Sequence, residues 1–530
     1  LSAKERNVTL FGRNSAHLCL RSGAGGAAPN EKLVVHLNDA FENNGFNYNK
    51  EVWNLYKGGA EPSETSIVEL PESSYTHGIQ ASFTTFSDAA IVTFVRVGTE
   101  NSDPKAGILD LQENEANLLR MIKKSGKFKK TIVLLNGAMP MSLDWASKEE
   151  FGVDAVLWFG VPGYYSLDGV VHILTGEANP SGHTPDTFSA HASNSAAYQN
   201  FGDINFDGNA GVDRASKYVS YNEGIYVGYK YYETRYEDKL LNQGNVGEYK
   251  YSDTVCYPFG YGLSYSTFKF SDYKCVESDG DYKLTVKVTN TGDVEGRHVA
   301  QAYLQKPYTE YDKEKGIEKA SVELVGFAKT DVLQTNGEET LNVTIDKEAL
   351  KTYDSYGKKT YILEKGDYYL AIGTDAHDAN NNILAKKGYT PSNTDNRMDS
   401  KGNPEMVYKI TIDNDDFEKY SKNDKDVEIT NRFDDADLNL YSGTKDDQNI
   451  KYLSRSNWQD TYPLNPVNLK CENETMVYDM QYAHVPEANE NDTMPLMETI
   501  TSEFGELNLA MIKDLPFNDP MWEDLLNQLS

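Results

Sequence analysis

The hydrophobic rhythm of the chain changes twice along its length. From residue 1 to about 265, short continuous apolar runs alternate with amphipathic stretches. The runs Val8–Phe11, Ala90–Val95, Thr131–Leu135 and Ala155–Phe159 predict strands of a parallel sheet covered on both faces. Leu109–Lys124 places Leu111, Leu118, Leu119 and Ile122 at helical spacing behind acidic, turn-forming residues, which predicts a helix. Gly163–Gly176, with Leu167, Val170, Val171 and Leu174, predicts another, stopped by Gly176. Strand–helix alternation of this kind implies an α/β layered domain over residues 1–265.

From 266 to about 415 the period shortens to two. Leu284–Thr289 alternates strictly and runs into the turn Asn290-Thr291-Gly292-Asp293. Val299–Leu304, Glu323–Phe327, Leu341–Ile345, Tyr368–Ile372 and Val407–Ile412 follow the same pattern, which predicts a β-sandwich. Thr374–Pro404, rich in Asp, Asn, Lys and Gly, reads as an inserted surface loop. From 416 to 530 the pattern weakens into an irregular, extended connection. Asp416–Asp426 and Pro486–Asp492 read as solvated acidic loops, Tyr452–Trp458 as an ordered segment, and Met521–Ser530 as the start of an amphipathic helix. The fold class is therefore α/β plus all-β, with an extended linker. The chain opens on a strand without Met and stops inside a helix. Both features suggest a processed start, and a further segment to follow.

Composition narrows the function. A net charge of −30 argues against nucleic acid, which would be repelled, and leaves neutral ligands such as sugars unaffected. The 36 Tyr suit the C–H faces of sugars, although most are expected to be ordinary packing residues. No window approaches the roughly 18 apolar residues of a membrane span. Cys19, Cys256, Cys275 and Cys471 are scattered, so free thiols are expected, with a Cys256–Cys275 bridge open only for an exported protein. The compartment is not decided. The nine His are dispersed, and no metal-ligand spacing, phosphate loop, dinucleotide fingerprint or serine nucleophile elbow is present, so no cofactor is expected.

Several strings in order along the chain resemble glycoside hydrolase family 3, in particular its β-glucosidase-like members. They are Leu134-Leu135-Asn136-Gly137 with Pro140 and Trp145, Gly160-Val161-Pro162-Gly163, Gly176-Glu177-Ala178-Asn179-Pro180-Ser181-Gly182, Glu223-Gly224-Ile225-Tyr226-Val227-Gly228-Tyr229-Lys230-Tyr231, and Pro258-Phe259-Gly260-Tyr261-Gly262-Leu263-Ser264-Tyr265. The β segment, with Val288–Gly292 and Glu323–Phe327, is similar to the family's fibronectin type III-like domain. The Gly- and Pro-rich strings are also what sharp turns at strand ends require, so they read as structural first.

The resemblance implies a retaining enzyme with two carboxylates, an Asp nucleophile on a (β/α)8 barrel and an acid/base from the α/β sandwich. The barrel does not occur in this sequence. The order of parts resembles the family's rearranged members, in which the barrel comes last. No Ser-Asp-Trp is present. Leu143-Asp144-Trp145 reads as a surface turn, and Trp458 follows Asn457, which cannot form a glycosyl ester. The position matching the acid/base loop is Arg96-Val97-Gly98-Thr99-Glu100-Asn101-Ser102-Asp103-Pro104, with Thr99 and Asn101 where rearranged members show glycine. The resemblance makes Glu100 the general acid/base, and Arg96 and Asp103 residues that orient it or touch the leaving-group sugar. Glu223 and Glu233 read as buried hydrogen-bonding partners. The implied partners are a β-linked glycoside and a barrel chain or segment completing the site, with a homo-oligomer open. The alternatives are a non-catalytic carbohydrate-binding or scaffolding module and a polysaccharide-surface adhesin.

Overall fold

The structure, a computed structural model, describes residues 1–20, 33–58, 63, 66–98, 104–105, 107–200, 204–205, 217–218, 221–278, 280–431, 451–462 and 504–528. It divides into two compact units. The first spans Leu1–Asn205 and Tyr218–Leu469, the second Phe206–Lys217 and Lys470–Ser530.

The first unit begins with a five-stranded, wholly parallel sheet. Its strands are β1 (Asn7–Phe11), β2 (Asn47–Tyr48), β3 (Ala89–Val95), β4 (Thr131–Asn136) and β5 (Ala155–Gly160), in the order β2-β1-β3-β4-β5. Every residue of β3 and β4 is buried, as their unbroken apolar runs require of strands covered on both faces. The covering helices are α1 (Leu37–Asn43), α2 (Lys50–Leu55), α3 (His77–Ser82), α4 (Glu113–Ser125) and α5 (Leu167–Thr175). Helix α4 turns Leu118, Leu119 and Ile122 inward, and Gly126 ends it in the left-handed conformation. It starts four residues later than the periodicity suggests, because Gln112 and Glu115 form a capping box that fixes the first turn. Gly176 ends α5 at φ 80°, as the sequence predicts.

Helix α6 (Tyr229–Leu241) leads toward a β-sandwich. One of its sheets runs β6 (Phe268–Ser278), β7 (Asp281–Asn290), β10 (Glu338–Asp346). The other runs β9 (Glu323–Lys329), β8 (Val299–Gln305), β11 (Gly366–Gly373), β12 (Val407–Ile412), and both are antiparallel. Alternate residues of β7 (Leu284, Val286, Val288) meet Ala302, Leu304, Leu370 and Ile372 in the core between the sheets.

The expected loop at Thr374–Pro404 is a correction. It contains helix α7 (Ala376–Lys386), capped by Asp375, which accepts the Asp378 amide at 2.8 Å. Ala376, Ala379 and Ile383 pack against Tyr303, Ala371 and Val407. The three asparagines that make the segment look solvated are buried, with Asn382 donating to the Ile372 carbonyl at 3.0 Å. The 451–462 segment is ordered, as expected. Trp458 is fully buried against Tyr226 and Tyr231, and Arg455 pairs with the buried Asp238 at 2.5 Å. Asp144 and Trp145 lie in a turn, but Trp145 is buried there against Phe94. Cys19, Cys256 and Cys275 are free thiols; Cys471 lies outside the described residues.

In the second unit, α8 (Pro520–Asn527) is capped by Asp519 and packs Leu525 with Leu507 and Ile512. Pro486–Asp492 lies outside the described residues. Among the described residues, no helix is long and apolar enough to cross a membrane.

Candidate active site

In a parallel sheet the loops leaving the carboxyl ends of the strands share one edge, where ligand sites of open α/β sheets collect. Asn136, the last residue of β4, ties this edge together. Its Oδ1 accepts the Cys19 amide at 2.7 Å, and its Nδ2 donates to the carbonyls of Cys19 at 3.0 Å and Gly160 at 2.7 Å. The segments after β1, β4 and β5 are thereby held by one buried amide. Gly137, next in line, sits at φ 140°, and a Cβ there would stand 2.1 Å from the Arg96 carbonyl oxygen. Only glycine lets β4 leave the sheet this close to the end of β3.

Arg96 follows β3 directly and is only 2% exposed. Its Nη1 donates to the Val95 carbonyl at 3.0 Å and to Glu115 Oε1 at 2.8 Å. Its Nη2 donates to the Asp110 carbonyl at 2.9 Å and to Glu115 Oε2 at 2.8 Å. Glu115 Oε2 also accepts the Gln112 amide, which caps α4. One enclosed ion pair thus fastens the end of β3 to the start of α4, the two anchor points of the intervening loop. Arg96 faces the protein interior here, not a cleft. The far side of the loop is tied as well: Ser142 Oγ donates to Asp110 Oδ1 at 2.6 Å and accepts the Ala192 amide at 3.0 Å. Glu100 and Asp103 lie outside the described residues.

Beside this loop lies a cavity of about 230 Å³, walled on one side by Pro104, Lys105, Gly107 and Leu109. On its far wall, burial pushes the Asp186 carboxyl above its ordinary range, against the Thr187 amide that favours its charged form. Under the loop after β1, burial pushes Glu69 up to about 8, although its oxygens accept the Leu70 and Arg13 amides. Glu69 is enclosed, so it serves to hold that loop.

Glu233 is buried in α6, accepting from the Tyr251 hydroxyl at 2.5 Å and lying 2.9 Å from His377 Nδ1. Glu223 is buried in the turn before α6. Among the described residues, no group of three His, Cys, Asp or Glu side chains is placed to hold a metal ion. The sequence reading did not single out Glu115 or Asp186, and took Asn136 only as part of the Leu134-Leu135-Asn136-Gly137 string. Glu115 carried a signal of its own, the Gln112-x-x-Glu115 spacing of a capping box.

This architecture, an α/β sandwich with its loops gathered at one sheet edge and a β-sandwich behind it, defines the class. The model of the glycosyl hydrolase family 3 C-terminal domain matches residues 1–229, and that of the fibronectin type III-like domain matches residues 298–376. β-Glucosidase A of Butyrivibrio fibrisolvens is 28% identical over 373 residues, covering 62% of this chain and 40% of that protein. The β-glucosidase of Ruminococcus albus is 29% identical over 379 residues, covering 68% and 36%. The chain therefore spans about two-fifths of the length of these relatives. Among solved structures, β-glucosidase 3B from Thermotoga neapolitana in complex with α-D-glucose superposes with a TM-score of 0.55 at 25% identity, over 70% of this chain and 48% of that one. A β-glucosidase from Paenibacillus barengoltzii gives 0.57 at 27%, over 70% and 38%. These matches identify a glycosyl hydrolase family 3 C-terminal domain over residues 1–229, followed by a fibronectin type III-like domain, and the relatives are named β-glucosidases.

Proposed function

We propose that this chain supplies the proton-transfer half of a retaining, exo-acting β-glucosidase that releases terminal β-linked sugars. In this reading Glu100 is the general acid/base, and an Asp nucleophile is contributed by a barrel in another chain or segment. Glu100 gives its proton to the glycosidic oxygen as the C1–O bond breaks and the Asp carboxylate bonds C1. It then takes a proton from the water that attacks C1 and releases the Asp. Arg96 acts as a positioning residue through the root of the loop, and Asp103 orients Glu100 or meets the leaving-group sugar.

The observation that supports the reading is the anchoring of the described residues on both sides of the segment that contains Glu100. They are held by the Arg96–Glu115 pair before it and after it, and by the Asp110–Ser142 bond beyond. A general acid must be held within a fraction of an ångström of its oxygen, and rigid flanks provide that. The relatives named β-glucosidases supply the substrate class.

The test is hydrolysis of an aryl β-glucoside by the chain alone and mixed with a family 3 barrel chain. The expected result is activity only on mixing, lost in Glu100→Gln and partly recovered with azide or a strongly activated leaving group. Activity unaffected by Glu100→Gln would refute the assignment. Sugar binding without hydrolysis in any mixture would favour a carbohydrate-binding module.

A further inference from the structure

The 230 Å³ cavity beside the loop has a lining that the proton-transfer chemistry does not use. Its walls include Leu109, Pro140, Ala197, Tyr198, Val227 and Tyr232. Val227 is 52% exposed, so the cavity reaches the surface, whereas Tyr232 is buried with its hydroxyl engaged by Ser189 and Ser195. Asp186 stands in this apolar wall. Among the described residues, only the Thr187 amide, at 2.7 Å from Oδ1, favours its charged form. Gly228, at φ 57°, brings the backbone in so closely that a Cβ would lie 3.1 Å from Asp186 Oδ1.

Size and polarity select the occupant. An apolar cavity of about 150 Å³ holds one benzene, and pockets for drug-sized ligands begin near roughly 300 Å³. The space here therefore fits one ring with a substituent and is too small for a disaccharide. A pyranose would bring hydroxyls on every side into walls that offer few partners, each costing desolvation. A planar ring with one hydroxyl meets the apolar walls with its faces and Asp186 with its donor.

We propose that this cavity is a binding site for a single-ring phenolic group, its hydroxyl donating to Asp186, packed against the loop that the proposed function assigns to Glu100. The phenol is either the aglycone of a glycoside or a free phenol, and the two sources share this chemistry. The claim for the ring itself stands on the cavity; only its link to catalysis rests on the proposed function.

The experiment is a saturation-transfer NMR titration of the full chain with resorcinol and, separately, with 4-hydroxyphenyl β-glucoside. Both probes contacting the protein through their aromatic protons would identify an aglycone site. Resorcinol alone binding would identify a site for free phenols. In either case Asp186→Ala should weaken resorcinol roughly tenfold, the loss expected for a hydrogen bond to a charged acceptor. Ala197→Trp, which fills the cavity from another wall, should abolish the signal while far-UV circular dichroism stays native. Absence of binding by both probes, or binding indifferent to Ala197→Trp, overturns the proposal. Neither result depends on hydrolysis, so an inert barrel mixture would count against the catalytic reading and leave the cavity to be judged by the titration.

Discussion

Replacing Glu115 with Ala should be among the most damaging single changes available in the α/β domain. Glu115 is fully buried, and its partner Arg96 is 2% exposed. The substitution leaves the guanidinium enclosed with only the Val95 and Asp110 carbonyls, at 3.0 and 2.9 Å, to receive it. Breaking a buried pair by removing one partner costs about 3–5 kcal/mol, because the remaining charge is uncompensated. For a domain of this size each kcal/mol shifts the melting temperature by about 2–4 °C, so the transition should fall by about 6–20 °C. Differential scanning calorimetry, with the β-sandwich transition as internal control, reads this directly. The companion variant Arg96→Met with Glu115→Leu removes both charges, and should recover most of the loss, since apolar replacement of a whole buried pair is often neutral. A Glu115→Ala shift under about 2 °C, or a double variant no better than the single, would show that the pair does not anchor the loop's root.

Other outcomes follow from single contacts. Gly137→Ala drives a Cβ to 2.1 Å from the Arg96 carbonyl oxygen and should cost more than about 4 kcal/mol. Gly176→Ala meets open space at φ 80° and should cost only about 1–2 kcal/mol; comparable melting shifts for the two would refute the close-approach argument. At His377, burial opposes the charge, but Glu233 and Asp399 outweigh it and push the imidazole up to about 10. A folded value above the unfolded one of about 6.5 means its contribution is fully present below that pH and is lost as pH rises through about 10. The stability gap between wild type and His377→Gln, measured by urea denaturation, should therefore narrow from pH 6 to pH 10. Arg455→Met strands the buried Asp238 and should release the 451–462 segment, read as at least tenfold faster chymotryptic cleavage at Tyr452 or Trp458.

The elements legible in the sequence are those whose pattern and environment agree. β3 and β4 appear within a residue of their predicted limits because a strand buried on both faces admits only apolar residues. Leu284, Val286 and Val288 likewise betray the sandwich through their period of two. Helix α7 was not legible, because Asn380, Asn381 and Asn382 look like loop residues until tertiary partners receive their amide donors. Asn380 donates to the Glu233 carbonyl, and Asn381 to Asp399. The site divides the same way. The loop after β3 could be located from its place between a strand and a helix. The pairing of Arg96 with Glu115 joins residues 19 apart and has no periodic signature. Asp186 is a single carboxyl whose meaning comes wholly from the walls around it.

Two of the strings that carry the family resemblance work at the seam between the α/β and β domains. Asn179, of Asn179-Pro180-Ser181-Gly182, accepts from Ser264 Oγ at 2.9 Å and the Tyr265 amide at 2.8 Å, and donates to the Glu295 carbonyl at 2.9 Å. Gly260, of Pro258–Tyr265, lies so near Gln301 that a Cβ would stand 2.1 Å from its Oε1, and Gln301 Nε2 donates to the Gly260 carbonyl at 2.9 Å. The Tyr265 hydroxyl donates to the Ile173 carbonyl at the end of α5. These residues are constrained by how two domains meet. Their agreement with the family pattern therefore speaks for architecture, whereas the proposed function rests on the loop after β3, whose Thr99 and Asn101 depart from that pattern in sequence. Architecture and chemistry are separable in this chain. Loss of Asn179 should loosen the β-sandwich and leave the Arg96–Glu115 anchor intact, because no hydrogen bond or ion pair among the described residues joins Asn179 to that anchor.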